Sequence, residues 1–204
     1  MSPGTRHAET IYSDLKQAIL SGRYPPTTDL SIAILARELG TSPSPVRDAL
    51  HRLYGERLLE QGDHHGFRVS AWTAAELRDC YTWHGRLVRI AMKGGGRSDP
   101  DRPTASEGWE TDYSTPAAIV ATAERMFLAL AGRSRSGELC SAIGNTGERL
   151  RPIRLREIER WPDCIDELEA ANTLATSGTE NALLALLWNY HRRRIRAAPS
   201  LVVL

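Results

Sequence analysis

Residues 35–50 read Leu35-Ala36-Arg37-Glu38-Leu39-Gly40-Thr41-Ser42-Pro43-Ser44-Pro45-Val46-Arg47-Asp48-Ala49-Leu50. Two helical periodicities meet here across a short break. Upstream, Ile32, Leu35, Ala36 and Leu39 recur at the spacing of one helix face, with Ser31 placed to cap the start. Gly40 stands where a helix closes with a left-handed residue. Thr41 and Ser42 form the turn, and Val46, Ala49, Leu50 and Leu53 give the apolar face of the next helix. A helix, a glycine, a short turn and a second helix make the helix-turn-helix pattern.

The flanks extend it. Ile11, Leu15, Ala18 and Ile19 predict a helix over about Thr10 to Ser21, stopped by Gly22 and by Tyr24-Pro25-Pro26. Downstream, Leu58-Leu59 and Phe67-Arg68-Val69 read as two strands joined at the tip Gly62-Asp63-His64-His65-Gly66. The expectation for residues 1–70 is a winged helix-turn-helix with three helices and a two-stranded wing.

Residues 71–204 read as an all-helical bundle, so the chain is mainly α. Thr73 caps a helix carrying Leu77, Tyr81, Leu87, Val88 and Ala91, which ends near Gly94-Gly95-Gly96. The stretch from 94 to 115 is rich in Gly, Pro, Ser, Thr and Asp and is expected to be a long mobile loop. Pro116 opens a helix with Ile119, Val120, Ala123, Met126, Phe127 and Leu130. Leu139 to about Ile158 reads as helix interrupted by Gly144, Gly147 and Pro152. A further helix opens at Pro162 or Asp163 and closes at Ser177-Gly178. The last runs from Thr179 to about Arg196, and no strand is expected after Ser70.

Composition excludes more than it assigns. The net charge is +1, and residues 1–70 hold eight Lys/Arg against eight Asp/Glu, so nucleic-acid binding must rest on where charges sit. Cys80, Cys140 and Cys164 form no CxxC pair, which argues against a disulfide framework or a structural zinc. The sequence shows no membrane-length apolar run and a polar start, so a cytoplasmic location without membrane contact is expected. No Ser/His/Asp order, Walker loop or paired-ligand metal motif suggests an enzyme, and no cofactor is expected.

In this fold the third helix enters the major groove of double-stranded DNA by its N-terminal end. Ser42 and Ser44 suit phosphate oxygens, beside early helix amides that carry partial positive charge. Arg47, one turn in, reaches a guanine edge by a bidentate pair. His64, His65, Gly66 and Arg68 occupy the wing. Against this, Ser42 and Ser44 can serve simply as caps, Arg47 as an ion-pair partner of Asp48 or Glu56, and the histidines as exposed loop residues.

These residues carry a resemblance. Ile11 to Ser70, about a third of the chain, resembles the winged helix-turn-helix of the GntR family of bacterial regulators. It does so through Ala18 to Pro26, Leu35 to Gly40, Ser42-Pro43-Ser44-Pro45-Val46-Arg47-Asp48-Ala49-Leu50, Leu58-Leu59-Glu60 and Gly66-Phe67-Arg68-Val69. The resemblance implies DNA contacts by Ser42, Ser44 and Arg47, with the wing near His65 and Gly66 assisting. Pro43 and Ala33 stand where relatives carry arginine, or arginine or glutamate, so the operator is expected to differ or to be bound more weakly.

The helical domain resembles the FadR-type branch in shortened and divergent form. Glu124-Arg125-Met126-Phe127-Leu128 sits where metal-binding relatives carry D-x-x-F-H, and the last two helices end on His191. In those relatives one Asp and three His hold a divalent ion, often beside a carboxylate effector. Glu124 and His191 alone are too few ligands, so no metal is expected. His84 sits where relatives carry an effector-side arginine. The effector set implied is His84, Glu124, Arg149 and His191. The run Arg149, Arg151, Arg154, Arg156 suits an anionic small molecule or, read plainly, a solvated face. The expected function is a sequence-specific regulator, a repressor more often than an activator, working on operator DNA as a homodimer under a small-molecule effector. The alternative is an interaction or scaffold protein that has lost DNA binding at Ala33 and Pro43.

Overall fold

The computed structural model describes residues 3–62, 66–94 and 108–202. The chain divides into two compact units, Met1–Ala71 and Trp72–Leu204.

In the first unit α1 (Pro3–Leu20), α2 (Ile32–Glu38) and α3 (Pro43–Gly55) pack with β1 (Asp29–Leu30), β2 (Leu59–Gln61) and β3 (Phe67–Val69). Ile11, Leu15 and Ile19 of α1 share a core with Leu35, Val46, Leu50, Leu53 and Phe67. Ser31 caps α2 by accepting from the Ile34 amide. After α2, Gly40 adopts φ +63°, and the Thr41 amide returns to the Ala36 carbonyl at 2.9 Å. That left-handed step turns the chain within two residues and sets α3 across α2. Pro43 fills the first turn of α3, where a missing N–H costs nothing.

Two expectations need correction here. Helix α1 begins at Pro3, well before Thr10, where the sequence Pro3-Gly4-Thr5-Arg6-His7 carries no apolar stripe from which a helix could be read. The expected wing hairpin of β2 and β3 is extended by β1 into a three-stranded antiparallel sheet of order β1-β3-β2. Leu59 faces Val69 and Gln61 faces Phe67, while Asp29 and Leu30 face Arg68 and Phe67. A two-residue strand is too short to show a period in sequence.

The second unit holds α4 (Ala74–Lys93), α5 (Pro116–Gly132), α6 (Gly137–Arg160), α7 (Cys164–Thr176) and α8 (Glu180–Leu201), and no strand among the described residues. Thr73 and Glu76 form a reciprocal capping box at α4: the Glu76 amide donates to Thr73 Oγ1, and the Thr73 amide donates to the Glu76 carboxylate. One core gathers Val88, Met92, Phe127, Leu130, Ile143, Leu168, Leu183 and Tyr190. A second joins Leu77 and Tyr81 to Leu150, Ile153, Ala198 and Leu201.

Helix α6 runs unbroken through Gly144, Gly147 and Pro152, against the expected interruption. Its buried stripe of Ile143, Leu150 and Ile153 outweighs the hydrogen bond that Pro152 removes. Helix α8 continues past Arg196 to Leu201, with Ala198 and Leu201 buried. Of the loop expected over 94–115, residues 95–107 lie outside the described residues. The remainder is held in place. Trp109 is buried in the core, Asp112 and Thr122 exchange two 3.0 Å hydrogen bonds, and Arg125 donates to the Glu110 carbonyl at 3.0 Å.

Candidate nucleic-acid interface and buried polar cluster

Ser42, Ser44 and Arg47 all lie exposed at the start of α3. Ser42 is the N-cap, yet its side chain makes no capping hydrogen bond, which leaves the hydroxyl unengaged; of the first three helix residues only Ser44 has an N–H, since Pro43 and Pro45 have none. Among the described residues, Arg47 takes part in no ion pair. Glu56, considered as its partner from sequence, is bound instead by Lys16 at 3.0 Å and by the Tyr12 hydroxyl at 2.7 Å. Helical spacing from Ser44 and Arg47 also aligns His51 and Tyr54 on the outer face, both exposed. The His51 ring meets the edge of Phe67 at 4.9 Å, so this outer stripe of α3 leans on β3 of the wing. These two residues escaped the sequence reading, although counting seven on from Ser44 and from Arg47 finds them.

In the wing, Gly62 donates its amide to the Gly66 carbonyl at 2.9 Å and closes the hairpin. A Cβ at Gly62 would stand 3.1 Å from an Asp29 carboxylate oxygen and 3.2 Å from the Phe67 backbone, so a side chain would crowd the turn. His64 and His65 lie outside the described residues. Arg68 forks onto Asp29, with Nε to Oδ1 at 2.7 Å and a second bond at 3.2 Å. This pair ties β1 to β3 and holds the Asp29 carboxyl below its ordinary range.

In the helical unit, His84 of α4 and His191 of α8 meet inside the bundle. Both are buried, and the Nδ1 of His84 lies 2.9 Å from the Nε2 of His191. His191 Nδ1 lies 2.7 Å from the Leu187 carbonyl. Burial pushes His84 well below the usual imidazole value, and pushes His191 down to about 3, so both rings are neutral. A neutral ring has one N–H, and a carbonyl only accepts. His191 therefore donates through Nδ1 to Leu187 and accepts at Nε2 from the Nδ1–H of His84. The Nε2 of His84 is left as an acceptor, buried and without a partner.

Glu124 does not join the histidines. Its Oε2 is bound by Arg151, its Oε1 has no hydrogen-bond partner, and burial raises its pKa. Arg149 is half-buried with its guanidinium 5.0 Å from the Trp72 ring. The arginine run is not a solvated face. Arg156 reaches the Leu201 carbonyl, and Arg154 is only 2% exposed with its guanidinium 5.2 Å from the Phe127 ring. Sequence reasoning missed the buried ionic chain around Arg154. Glu157 accepts from the Tyr81 hydroxyl and from Arg194 Nε at 2.8 Å, and Arg194 also pairs with Glu167 at 2.9 Å. The signal was present in the spacing of Leu150, Arg154 and Glu157, which places the two charges on the apolar stripe of α6. Among the described residues no three His, Cys, Asp or Glu side chains gather as a metal site, and no helix is long and apolar enough to cross a membrane.

Comparison with known proteins agrees with the first unit. Residues 7–69 match the model of the bacterial regulatory proteins of the gntR family. The HTH-type transcriptional regulator YdhC of Bacillus subtilis (strain 168) is 30% identical over 83 residues, covering 41% of this chain and 37% of that protein. The HTH-type transcriptional repressor GlaR of Escherichia coli (strain K12) is 27% identical over 117 residues, covering 55% and 49%. The chain thus spans half or less of the length of these relatives. Among solved structures, a protein described as a GntR transcriptional regulator from Rhodococcus sp. RHA1 superposes with a TM-score of 0.75 at 18% identity, covering 95% of this chain and 97% of that one. E. coli McbR/YncC superposes at 0.63 and 18% identity, covering 98% and 99%. Both likenesses concern the fold. Residues 7–69 are a winged helix-turn-helix of the GntR type, and in this chain a domain of five helices follows it.

Proposed function

We propose that this protein is a sequence-specific DNA-binding transcriptional regulator of the FadR-type branch, a repressor whose helical domain binds a small-molecule effector. The observation that carries the reading is Arg47, exposed and unpaired one turn into α3, flanked by the open hydroxyls of Ser42 and Ser44. A partnered arginine would have to break an ion pair before meeting a base edge; Arg47 has none to break. The repressor sense rests on the likeness to GlaR, a repressor by name.

One small reading head spans only a few base pairs, so operator binding calls for a two-fold dimer. The face of α4 and α8 suits a second copy. Trp188, more than half exposed, lines a groove of about 540 Å³ between the two helices, and Trp83 and Ile90 add exposed apolar surface elsewhere on α4. The effector site proposed is the buried polar cluster around His84 and His191; Glu124, held by Arg151, and Arg149, beside the Trp72 ring, enter the proposal through the resemblance alone.

The test is a fluorescence-anisotropy titration against DNA upstream of the protein's own gene, with scrambled DNA as control, at two salt concentrations. Sequence-preferring binding that weakens steeply with salt and is lost in Arg47→Ala supports the reading. Equal binding to scrambled DNA, followed by failure of a random-sequence selection, overturns it.

A further inference from the structure

The even charge balance of the first unit hides an uneven distribution. Lys16 is held by Glu56 at 3.0 Å, Arg52 by Glu9 at 2.9 Å and Arg68 by Asp29 at 2.7 Å. Arg23 lies 3.8 Å from Glu38, which also accepts from the Tyr24 hydroxyl at 3.3 Å. Arg37, Arg47 and Arg57 are exposed, and among the described residues none of them takes part in an ion pair. Arg47 belongs to the helix proposed to read the groove. Arg57 stands beyond the far end of α3. Arg37 sits in the last turn of α2, the first helix of the helix-turn-helix.

The turn puts Arg37 beside the entry to α3. The Thr41 amide donates to the Ala36 carbonyl at 2.9 Å and the Gly40 amide to the Arg37 carbonyl at 3.3 Å, so the residues that deliver Ser42 fold back on the peptide of Arg37. Side chains on a helix lean towards its N-terminus, which sets Arg37 over Ala33, exposed and four residues back. Ala33 offers only a methyl, so the surface under the guanidinium is open. The adjacent carboxylate, Glu38, is engaged by Arg23 and Tyr24. The start of α3, meanwhile, is short of donors. A helix N-terminus commonly grips a phosphate through its free amides, but Pro43 and Pro45 have no N–H, and of the first three helix residues Ser44 alone supplies one.

We propose that Arg37 is a phosphate anchor of the reading head: its side chain supplies to the DNA backbone the positive charge that the proline-capped start of α3 lacks. A phosphate contact fixes register without reading sequence, so Arg37 sets where Arg47 meets the base edges and does not itself choose among them. The proposal rests on the DNA-binding reading above but not on any sequence preference, because every duplex carries the same phosphates. A purely structural role makes a different forecast. A cation in the last turn of a helix also favours the helix dipole, and that role costs stability and leaves the salt dependence of DNA binding untouched.

The experiment measures affinity for the upstream duplex and for scrambled duplex across a salt series, in wild type, Arg37→Gln, Arg37→Lys and Arg57→Gln, with the melting temperature of each. Arg37→Gln is expected to flatten the slope of log affinity against log salt by about 0.9 for each reading head bound. It weakens both duplexes by the same factor and leaves the melting temperature unchanged. Arg37→Lys restores the slope, because a phosphate needs the charge and not the fork, and Arg57→Gln keeps the wild-type slope. An unchanged slope in Arg37→Gln, with or without a lower melting temperature, overturns the anchor. So does an equal flattening in Arg57→Gln, which marks a diffuse effect of charge, or a loss confined to the upstream duplex, which marks a base contact. Wild type that binds both duplexes alike counts against the sequence-specific reading alone, since the slopes still decide Arg37. Wild type that binds neither overturns both.

Discussion

The Nδ1 of His84 and the Nε2 of His191 lie 2.9 Å apart at a point where α4 and α8 approach closely. Gly85, the next residue, makes that approach feasible. A Cβ on Gly85 would stand 3.0 Å from Cγ and 3.1 Å from Cδ2 of the His191 ring. The pair thus depends on a residue that carries no side chain.

Gly85→Ala should therefore destabilise the helical unit. Alanine favours the helix by about 1 kcal/mol, while overpacking a tight contact costs about 1–3 kcal/mol. The net expectation is a loss of about 1 kcal/mol, read as a lower urea midpoint with an unchanged slope.

Both histidines have depressed values in the folded state, so unfolding takes up protons whenever the solution is below the imidazole value. Their stabilising effect is complete above pH 6.5 and drains away as the pH falls from 6.5 towards about 3. Each ring contributes a slope of up to about 1.4 kcal/mol per pH unit in that window. Chemical denaturation at stepped pH should show a shallower acid slope in His191→Gln than in wild type.

Glu157 sits between Tyr81 and Arg194, all three buried. Glu157→Ala leaves Arg194 with Glu167 and the Tyr190 carbonyl and strands the tyrosine hydroxyl. A loss of about 3–5 kcal/mol is expected from breaking such a pair on one side. Equilibrium unfolding measures it, and a change below about 1 kcal/mol would show that the network is not holding the bundle.

Arg47→Ala should leave the melting temperature near that of wild type, because the side chain is exposed and unpaired. Its cost falls on operator binding, at about 1–3 kcal/mol if it reads a base edge. Comparing affinities for operator and scrambled DNA separates base reading, which narrows the gap between them, from phosphate contact, which lowers both.

Trp188→Glu places a charge on the exposed α4/α8 face. Sedimentation velocity should show a monomer for this variant where wild type is a dimer, with little loss of thermal stability. A wild type that sediments as a monomer at every concentration would remove this face from the dimer proposal.

The winged helix-turn-helix was legible because its information is local. Gly40 with its left-handed turn, Pro43 at a first helix turn and the 3.6-residue stripes of α2 and α3 each act over a few residues, and each appears in the chain as written. The sequence alone also determined the helical character of the second unit and the capping residues Ser31 and Thr73. Tertiary structure decided the rest. It added β1, whose two residues are strand only because β3 lies beside them. It paired Arg68 with Asp29, 39 positions away, and His84 with His191, 107 positions away. It turned an arginine run from a surface feature into a buried charge at Arg154: spacing puts Arg154 on the apolar stripe of α6, but which helices close over that stripe, and so whether the charge meets water, is decided by the packing.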